Sequence, residues 1–581
     1  AILNANANSG VTDTITFNIP GAGPHVINLT TALPAITDTV IIDGTTDPDY
    51  AGDPIIQIDG SALGAGVNGL TFTSTSDGSE VKGLMITNFS QYGIQVDSGT
   101  DGITISNNWI GTTGTGSVGD GNGDTGIYIQ GANTIVGGTA LNDGNVITNN
   151  GNEGINITGA GATGTIIQGN IIGLDPDGAT GSGNIDVGIA LLSGAHNTTI
   201  GGSTAAARNI ISNNVEGIEI NSNNNTVQGN YIGTDVSGTL DRGNRSDDGV
   251  ELQNGATGNL IGGSGAGEGN LIAFNARDGV YVFNGTGNAV LGNRIHSNTG
   301  LGIDLGVNGV NANDVNDVDA GANELQNFPV LSSALTNGIN TIAIEGSLNS
   351  TANTDFRIEF FASTVADTSG YGEAERYLGS VNISTDAGGN AAFSVNLTDV
   401  VAAGEFITAT ATIDLGGSNY GSTSEFAQSV PAVLSNFAPT LDNTGIMALT
   451  SIKENEVNSN GDLVSDIIAS AGGNRITDPD VGAVEGMAVI AVDDTNGTWE
   501  YSSDGGSNWT AFGAVTNNSA VVLTGTGNDR IRFVPNAGFS GVATFTFHAW
   551  DTTDALASGT TGVDATSTGG STAFSVATEE V

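Results

Sequence analysis

A short phrase repeats along the first half of this chain, and the repeat constrains the fold more than any other feature. Gly-Asn-x-Ile-Gly occurs at Gly169–Gly173 and Gly229–Gly233, with an earlier form at Asn107–Gly111 and a decayed one at Gly292–Ile295. Its asparagines, Asn108, Asn170, Asn230 and Asn293, are 62, 60 and 63 residues apart. A second phrase, (Ile/Val)-Gly-Gly, recurs at Val136–Gly138, Ile200–Gly202 and Ile261–Gly263. A third, Gly-(Ile/Val)-x-apolar, begins at Gly93, Gly126, Gly154, Gly188, Gly217, Gly249, Gly279 and Gly302. Its steps are 33, 28, 34, 29, 32, 30 and 23 residues, so each unit of about 60 residues is two turns.

Fixed-period self-similarity marks stacked units that bury their cores against one another. Within a turn the apolar residues alternate, as in Gly154-Ile155-Asn156-Ile157 and Gly217-Ile218-Glu219-Ile220, which is strand periodicity. The 23-residue step suits three short strands joined by tight bends. Asn at such bends tolerates left-handed backbone and can bond the next turn, while Gly allows positive φ. Crossovers between parallel strands are right-handed. The expected fold is therefore all-β: a right-handed parallel β-helix over residues 1–327.

Alternate turns carry extra residues in register: Gly111–Gly126, Gly173–Gly188 and Gly233–Gly249. These loops should stack on one edge, and they are acidic. Asp175, Asp177, Asp235, Asp241, Asp247 and Asp248 form a candidate ledge for a glycan or a cation. Before Gly93 the pattern predicts strands at Ile15–Ile19, His25–Leu29, Val40–Asp43, Pro54–Asp59, Gly69–Thr73 and Val81–Thr87. Ala1–Ala7 reads as a short helix covering the open end of the stack.

Near residue 306 the pattern changes. Asp314, Asn316, Asp317, Asp319 and Glu324 crowd around Gly321, and close-spaced oxygen ligands beside a turn-making Gly suit Ca²⁺; a solvated acidic linker explains them equally well. Alternating strands then predict a sandwich of immunoglobulin-like type over 328–435 and a second sandwich over 436–581. Acids at the ends of the second, including Glu454, Glu456, Asp478, Asp480 and Asp551, are further calcium candidates.

Composition narrows the partners. The formal charge is -49, from 61 acids against 12 Lys+Arg, which repels nucleic acid and anionic membrane. Solubility alone accounts for most of such a charge. Gly is 90 of 581 residues without a Gly-X-Y period, which excludes collagen. There is no Cys, so stability must come from stacking, size or metal. No apolar run reaches the roughly 20 residues that cross a bilayer, so no membrane insertion is expected.

Particular phrases resemble known families. Ala1–Ala7, Gly229–Asp235 and Asn323–Pro329 resemble the Gly/Asn-rich β-helix segments of bacterial surface and secreted proteins, of the CSLREA or pectate-lyase-like kind. Gly346–Asn349, Phe360–Ala362 and Ser369–Glu373 are similar to the sandwich that follows such helices. Asp478–Asp480, Asp504–Trp509 and Arg532–Gly541 resemble cadherin-like modules of very large bacterial adhesins. The resemblance implies an extracellular, cell-surface protein, and a natural chain longer than this one at both ends.

Pectate-lyase-like helices include enzymes, so catalysis has to be weighed. The helix holds few cations, and Arg242 and Arg245 beside Asp241, Asp247 and Asp248 are the best cluster, more simply read as a loop with local ion pairing. An inverting glycosidase could use stacked Asp175 and Asp235, but no aromatic accompanies them in sequence. Trp109 and Tyr231 share one repeat position and read as packing; Trp499, Trp509 and Trp550 read as core of the last module. No catalytic residue is assigned. The expected function is a structural or adhesive module, a rigid rod with calcium-stiffened spacers, partnered by neighbouring copies or modules. The alternative is a polysaccharide lyase, hydrolase or carbohydrate-binding helix whose partner is surface polysaccharide.

Overall fold

Alternation and glycine punctuation give three short strands per turn. The computed structural model describes residues 1–307, 309–480 and 482–581. Among them, one sheet of ten strands runs from Asp13–Thr16 to Ala289–Leu291, and a second of ten from His25–Asn28 to Arg294–His296. A third, of nine, runs from Leu70–Phe72 to Ile303–Leu305. Strands pair in parallel with those one turn away. This is the parallel β-helix that the repeat predicts.

Each phrase has a place in a turn. Gly169-Asn170 is the bend between Ile166–Gln168 in the first sheet and Ile171–Ile172 in the second. The left-handed residue there is the glycine, at φ 72°, and Asn107 takes its place in the earlier form at φ 54°. The asparagine after it does a different job. Asn108, Asn145, Asn170, Asn209, Asn230, Asn270 and Asn293 form a buried ladder, each Nδ2 donating to the next Oδ1 at 2.9–3.1 Å. A second ladder, from Asn122 through Asn150, Asn184, Asn214, Asn244 and Asn275 to Asn298, lines the bend into the third sheet. At Gly201, φ is 85° and a Cβ would sit 2.0 Å from the Gln228 carbonyl, so only glycine fits the second phrase.

The third phrase enters the third sheet. Its first apolar residues, Ile94, Ile127, Ile155, Ile189, Ile218, Val250, Val280 and Ile303, stack inward at 0–2% exposure. Burying each side chain stabilises the stack by about 1.5–3 kcal/mol. The stretch expected as one strand at Val81–Thr87 is two, because Gly83 at φ 73° turns the chain from the first sheet to the second. The N-terminal helix spans Ile2–Ala7, and its Ala5 is buried in the core cluster.

The last turn of the solenoid would leave edge N–H groups unpaired. Acceptors from residues 359–425 meet them. Val290 N donates to Thr423 Oγ1 at 2.8 Å, Gly292 N to Glu359 Oε2 at 2.7 Å, Ile295 N to Ala374 O at 3.0 Å and Leu305 N to Glu425 Oε1 at 3.0 Å. Phe361, Ala374 and Phe426 join the same hydrophobic cluster as Ile295 and Ile303. These residues belong to an antiparallel β-sandwich that includes Asp355–Ser363, Arg376–Ser384 and Phe406–Gly416. Ala1–Ala334, Ala343–Asp399 and Gly404–Ala432 accordingly form one compact unit.

The second unit is Leu335–Ile342, Val400–Ala403 and Val433–Val581. Its antiparallel sheets include Gly486–Val492, Gly497–Ser502, Ala520–Thr524, Arg530–Pro535 and Phe545–Trp550. Trp499 and Trp550 are buried, at 3% and 0% exposure. Trp509 is not core: it is half-buried, with the Arg532 guanidinium stacked 4.0 Å from its ring centroid.

Candidate functional site

The middle position of the third phrase, x, points out of the third sheet. Successive turns place Thr71, Gln95, Tyr128, Asn156, Ala190, Glu219, Glu251, Tyr281 and Asp304 in one register column. Neighbours in the column are one strand spacing apart, roughly 4.8 Å. The residue before the phrase glycine adds a second column, with Glu216, Asp248 and Asp278 on three consecutive turns. One residue earlier stand Asp186, Asp247 and Arg277. The sheet face thus gathers acids that lie tens of residues apart in the chain.

Glu219 and Glu251 sit on adjacent strands and share a donor. Gln253 Nε2 donates to Glu219 Oε1 at 2.7 Å and to Glu251 Oε2 at 3.2 Å. Asn221 Nδ2 adds a second donor to Glu219 Oε1 at 2.8 Å. Arg277 Nη1 pairs with Asp247 at 2.7 Å and lies 3.7 Å from Asp248 Oδ2.

Crowding buried carboxyls moves their protonation. Glu216 is 6% exposed and its Oε1 has no hydrogen-bond partner among the described residues. Burial, then Glu251 and Glu219, push it up to about 10. Asp248 is fully buried; burial raises it to about 8 despite the Asp278 backbone N–H it accepts. Burial, then Asp247 and Glu219, raise Glu251 to about 7. Burial, then Asp278, raise Asp304 to about 6. Burial also raises Asp186, Glu219 and Asp278.

Aromatic rings share this face. Tyr92, just before its phrase glycine, stacks on Tyr128 with centroids 4.5 Å apart and planes 4° from parallel. Towards the other end, Tyr281 lies 6.0 Å from half-exposed Phe283, and Arg277 lies 5.6 Å from the Tyr281 ring. Carboxyls with raised pKa between aromatic surfaces can exchange protons with a bound ligand and stack its apolar faces.

The six loop aspartates have different hydrogen-bond partners. The loops themselves stack, with Val236 N donating to Gly178 O and Gly116 N to Asp175 Oδ2. Asp177, Asp235 and Asp241 spend their carboxylates on N–H groups of their own loops, as Asp235 does with Thr239 and Leu240. Asp175 accepts from Gly116 N and Thr180 Oγ1. Asp247 and Asp248 stand instead at the entrance to the Val250–Leu252 strand, on the third-sheet face. Arg242 and Arg245 do not ion-pair with them. Arg242 donates to Ala179 O, and Arg245 to Ser182 O and Asn184 O, stapling one loop to the next. The cation beside Asp247 is Arg277.

The acid clusters read from sequence are partly assembled. Asp314, Asp317 and Asp319 bring ligand oxygens within 4.8 Å of one another, as do Asp478, Asp480 and Asp551. Such groups can hold a metal. Glu324 stands outside the first group, accepting from Ser422. Glu454 and Glu456 are exposed and outside the second. A further group, His25 with Asp47 and Asp49, has the same spacing and was given no role by the sequence.

No family model and no curated protein matches this sequence. Solved structures similar to it include a point mutant of the periplasmic alginate epimerase AlgG, at 15% identity over 46% of this chain and 49% of that one, TM-score 0.27. The A-module of the mannuronan C-5 epimerase AlgE6 of Azotobacter vinelandii is similar at 18% identity over 49% and 74%, TM-score 0.30. The pectate lyase Pel9A is similar at 14% identity over 49% and 68%, TM-score 0.22. The chain spans about half the length of the first of these. Likeness at this level carries no argument about chemistry, and the parallel β-helix rests on its own strand pairing.

Proposed function

We propose that the outward face of the third sheet is a carbohydrate cleft, and that the protein acts on a polysaccharide lying along the helix axis. The observation that carries this is the column itself. Glu219 and Glu251 share the Gln253 amide, and the Tyr92–Tyr128 stack stands three strands away on the same face. Ring faces suit the apolar faces of sugars, and paired carboxyls suit proton transfer at a glycosidic oxygen. A polymer whose repeat is close to the roughly 4.8 Å strand spacing can meet one turn per sugar. This favours the carbohydrate-active reading over the passive rod. Affinity electrophoresis against a panel of neutral and acidic polysaccharides, with assays for reducing ends and unsaturated products, tests it. Retardation by at least one polymer supports the cleft; none by any polymer, with no product, removes it.

A second reading concerns the acid groups. The convergence of Asp478, Asp480 and Asp551 favours calcium as a stiffener of the second unit, and Asp314, Asp317 and Asp319 as a second site in the first. Both readings suit an extracellular protein. Among the described residues, no helix is long and apolar enough to cross a membrane.

A further inference from the structure

Resting on the carbohydrate-cleft reading, we propose that Glu219 and Glu251 are the catalytic pair of a glycoside hydrolase that cleaves an uncharged polysaccharide with retention of configuration.

Spacing comes first. Both carboxylates accept from one nitrogen, at 2.7 and 3.2 Å, so those two oxygens are closer than the roughly 6.5–9.5 Å that an inverting pair needs to admit water, and near the roughly 5–5.5 Å of a retaining pair. The two groups also differ in environment, as a nucleophile and an acid must. Burial raises both carboxyls, but at Glu219 two amide donors on Oε1, from Asn221 and Gln253, oppose it. Glu251 has one longer contact, and burial, then the Asp247 and Glu219 charges, favour its protonated form.

Neighbouring groups have other duties. Asp247 is held by Arg277, while Glu216 and Asp248 are buried. Glu216 has an unpartnered oxygen among the described residues, and the charges that act on it include Glu251 and Glu219. A buried acid left short of a partner, with two half-buried carboxyls acting on it, marks a face shaped for a ligand rather than for stability. The substrate class follows from charge. Among the described residues Arg277 is the cation on this face, and it is already paired, so a uronate polymer meets repulsion where an uncharged one does not.

The step balances with water as co-reactant. The Glu219 carboxylate attacks the anomeric carbon as its bond to the leaving oxygen breaks, and Glu251 gives that oxygen its proton. A glycosyl ester on Glu219 results. Water then loses a proton to Glu251, its oxygen attacks the same carbon, and the Glu219 carboxylate is released.

The test uses the full chain and a panel of 2,4-dinitrophenyl 2-deoxy-2-fluoroglycosides of common neutral hexoses and pentoses, both anomers. The expected result is a mass gain of one fluoroglycosyl group, mapped to the peptide containing Glu219 and absent in Glu219→Gln. Glu251→Gln should still be labelled, because dinitrophenolate leaves without a proton. On the unactivated polysaccharide it should lose about 10²–10⁴-fold in rate. Azide should rescue Glu219→Ala on the activated glycoside and give a glycosyl azide of inverted configuration. Equal melting temperatures of the variants exclude misfolding. Label on another residue overturns the pair. Polysaccharide binding without label or reducing ends overturns the hydrolase while leaving the cleft intact. Absence of binding removes the cleft and the pair together.

Discussion

The rings of Tyr92 and Tyr128 lie 4.5 Å apart and 4° from parallel, although the residues are on different turns of the helix. Tyr128 stands in the outward column of the third sheet and Tyr92 just before the glycine of the preceding phrase. Each ring covers one face of the other, beside the carboxyls of the third sheet.

Tyr128→Ala removes one ring of that stack. Binding of the polysaccharide that retards the wild type should weaken roughly tenfold, about 1.4 kcal/mol. Melting should fall by little more than the stacking contribution, about 0.5–1.5 kcal/mol. Titration calorimetry and thermal melts read the two effects separately. Unchanged affinity would show that the glycan does not touch the stack.

The raised carboxyls set the pH dependence of stability. Asp248, Glu251 and Asp304 have folded pKa values of about 8, 7 and 6, above their ordinary ones. The folded state therefore holds more protons than the unfolded chain, and its stability falls as pH rises. Their contribution is full below about pH 4 and is lost as pH passes each folded value. Asp248→Asn should leave stability at pH 5 nearly unchanged and raise it at pH 9 by about 1–2 kcal/mol. A variant that is less stable than wild type at pH 9 contradicts the assignment.

The asparagine ladder should be costly to interrupt. Asn209 Oδ1 accepts from the backbone and side chain of Asn170, and its Nδ2 donates to Asn230 and to Ile167 O. Asn209→Ala leaves a buried Asn170 N–H without an acceptor, so a loss of about 2–4 kcal/mol is expected in urea unfolding. A loss under half a kcal/mol would mean that the ladder follows the fold rather than supports it.

Calcium is tested in the second unit. Excess EDTA should lower its melting temperature and added calcium should restore it. Asp480→Asn should abolish the response, since Asp480 supplies one of three converging ligands. If EDTA leaves the melt unmoved, the group is an acidic turn without an ion.

The helix was legible because its rules are local. Each glycine and asparagine of the repeated phrases answers to a bend within a few residues of it, as Gly169 and Asn170 do. The two-turn unit and the stacked loops followed from counting. The strand boundary at Gly83 did not, since a left-handed glycine inside an apolar run looks like any other glycine until the sheets are assigned.

The cleft was harder to read for a different reason. Its carboxyls come one to three per turn, with Glu219 and Glu251 32 residues apart, and they meet only once the register is known. Acids such as Asp175 and Asp177 are close in sequence, yet loop donors take Asp177 and one oxygen of Asp175. The signal was present in the variable position of the third phrase, where Tyr128, Glu219, Glu251, Tyr281 and Asp304 alternate with inward Ile, Val and Leu. Reading that position down the turns, rather than along the chain, assembles the column.

Amide hydrogen exchange of the full chain, with and without a saturating oligosaccharide of the bound polymer, tests the cleft most directly. Protection confined to the third-sheet strands from Ile127–Ile129 to Ile303–Leu305 and their entry bends is the result expected. Protection confined to the stacked loops or the second unit, with the third sheet unchanged, would contradict the carbohydrate cleft.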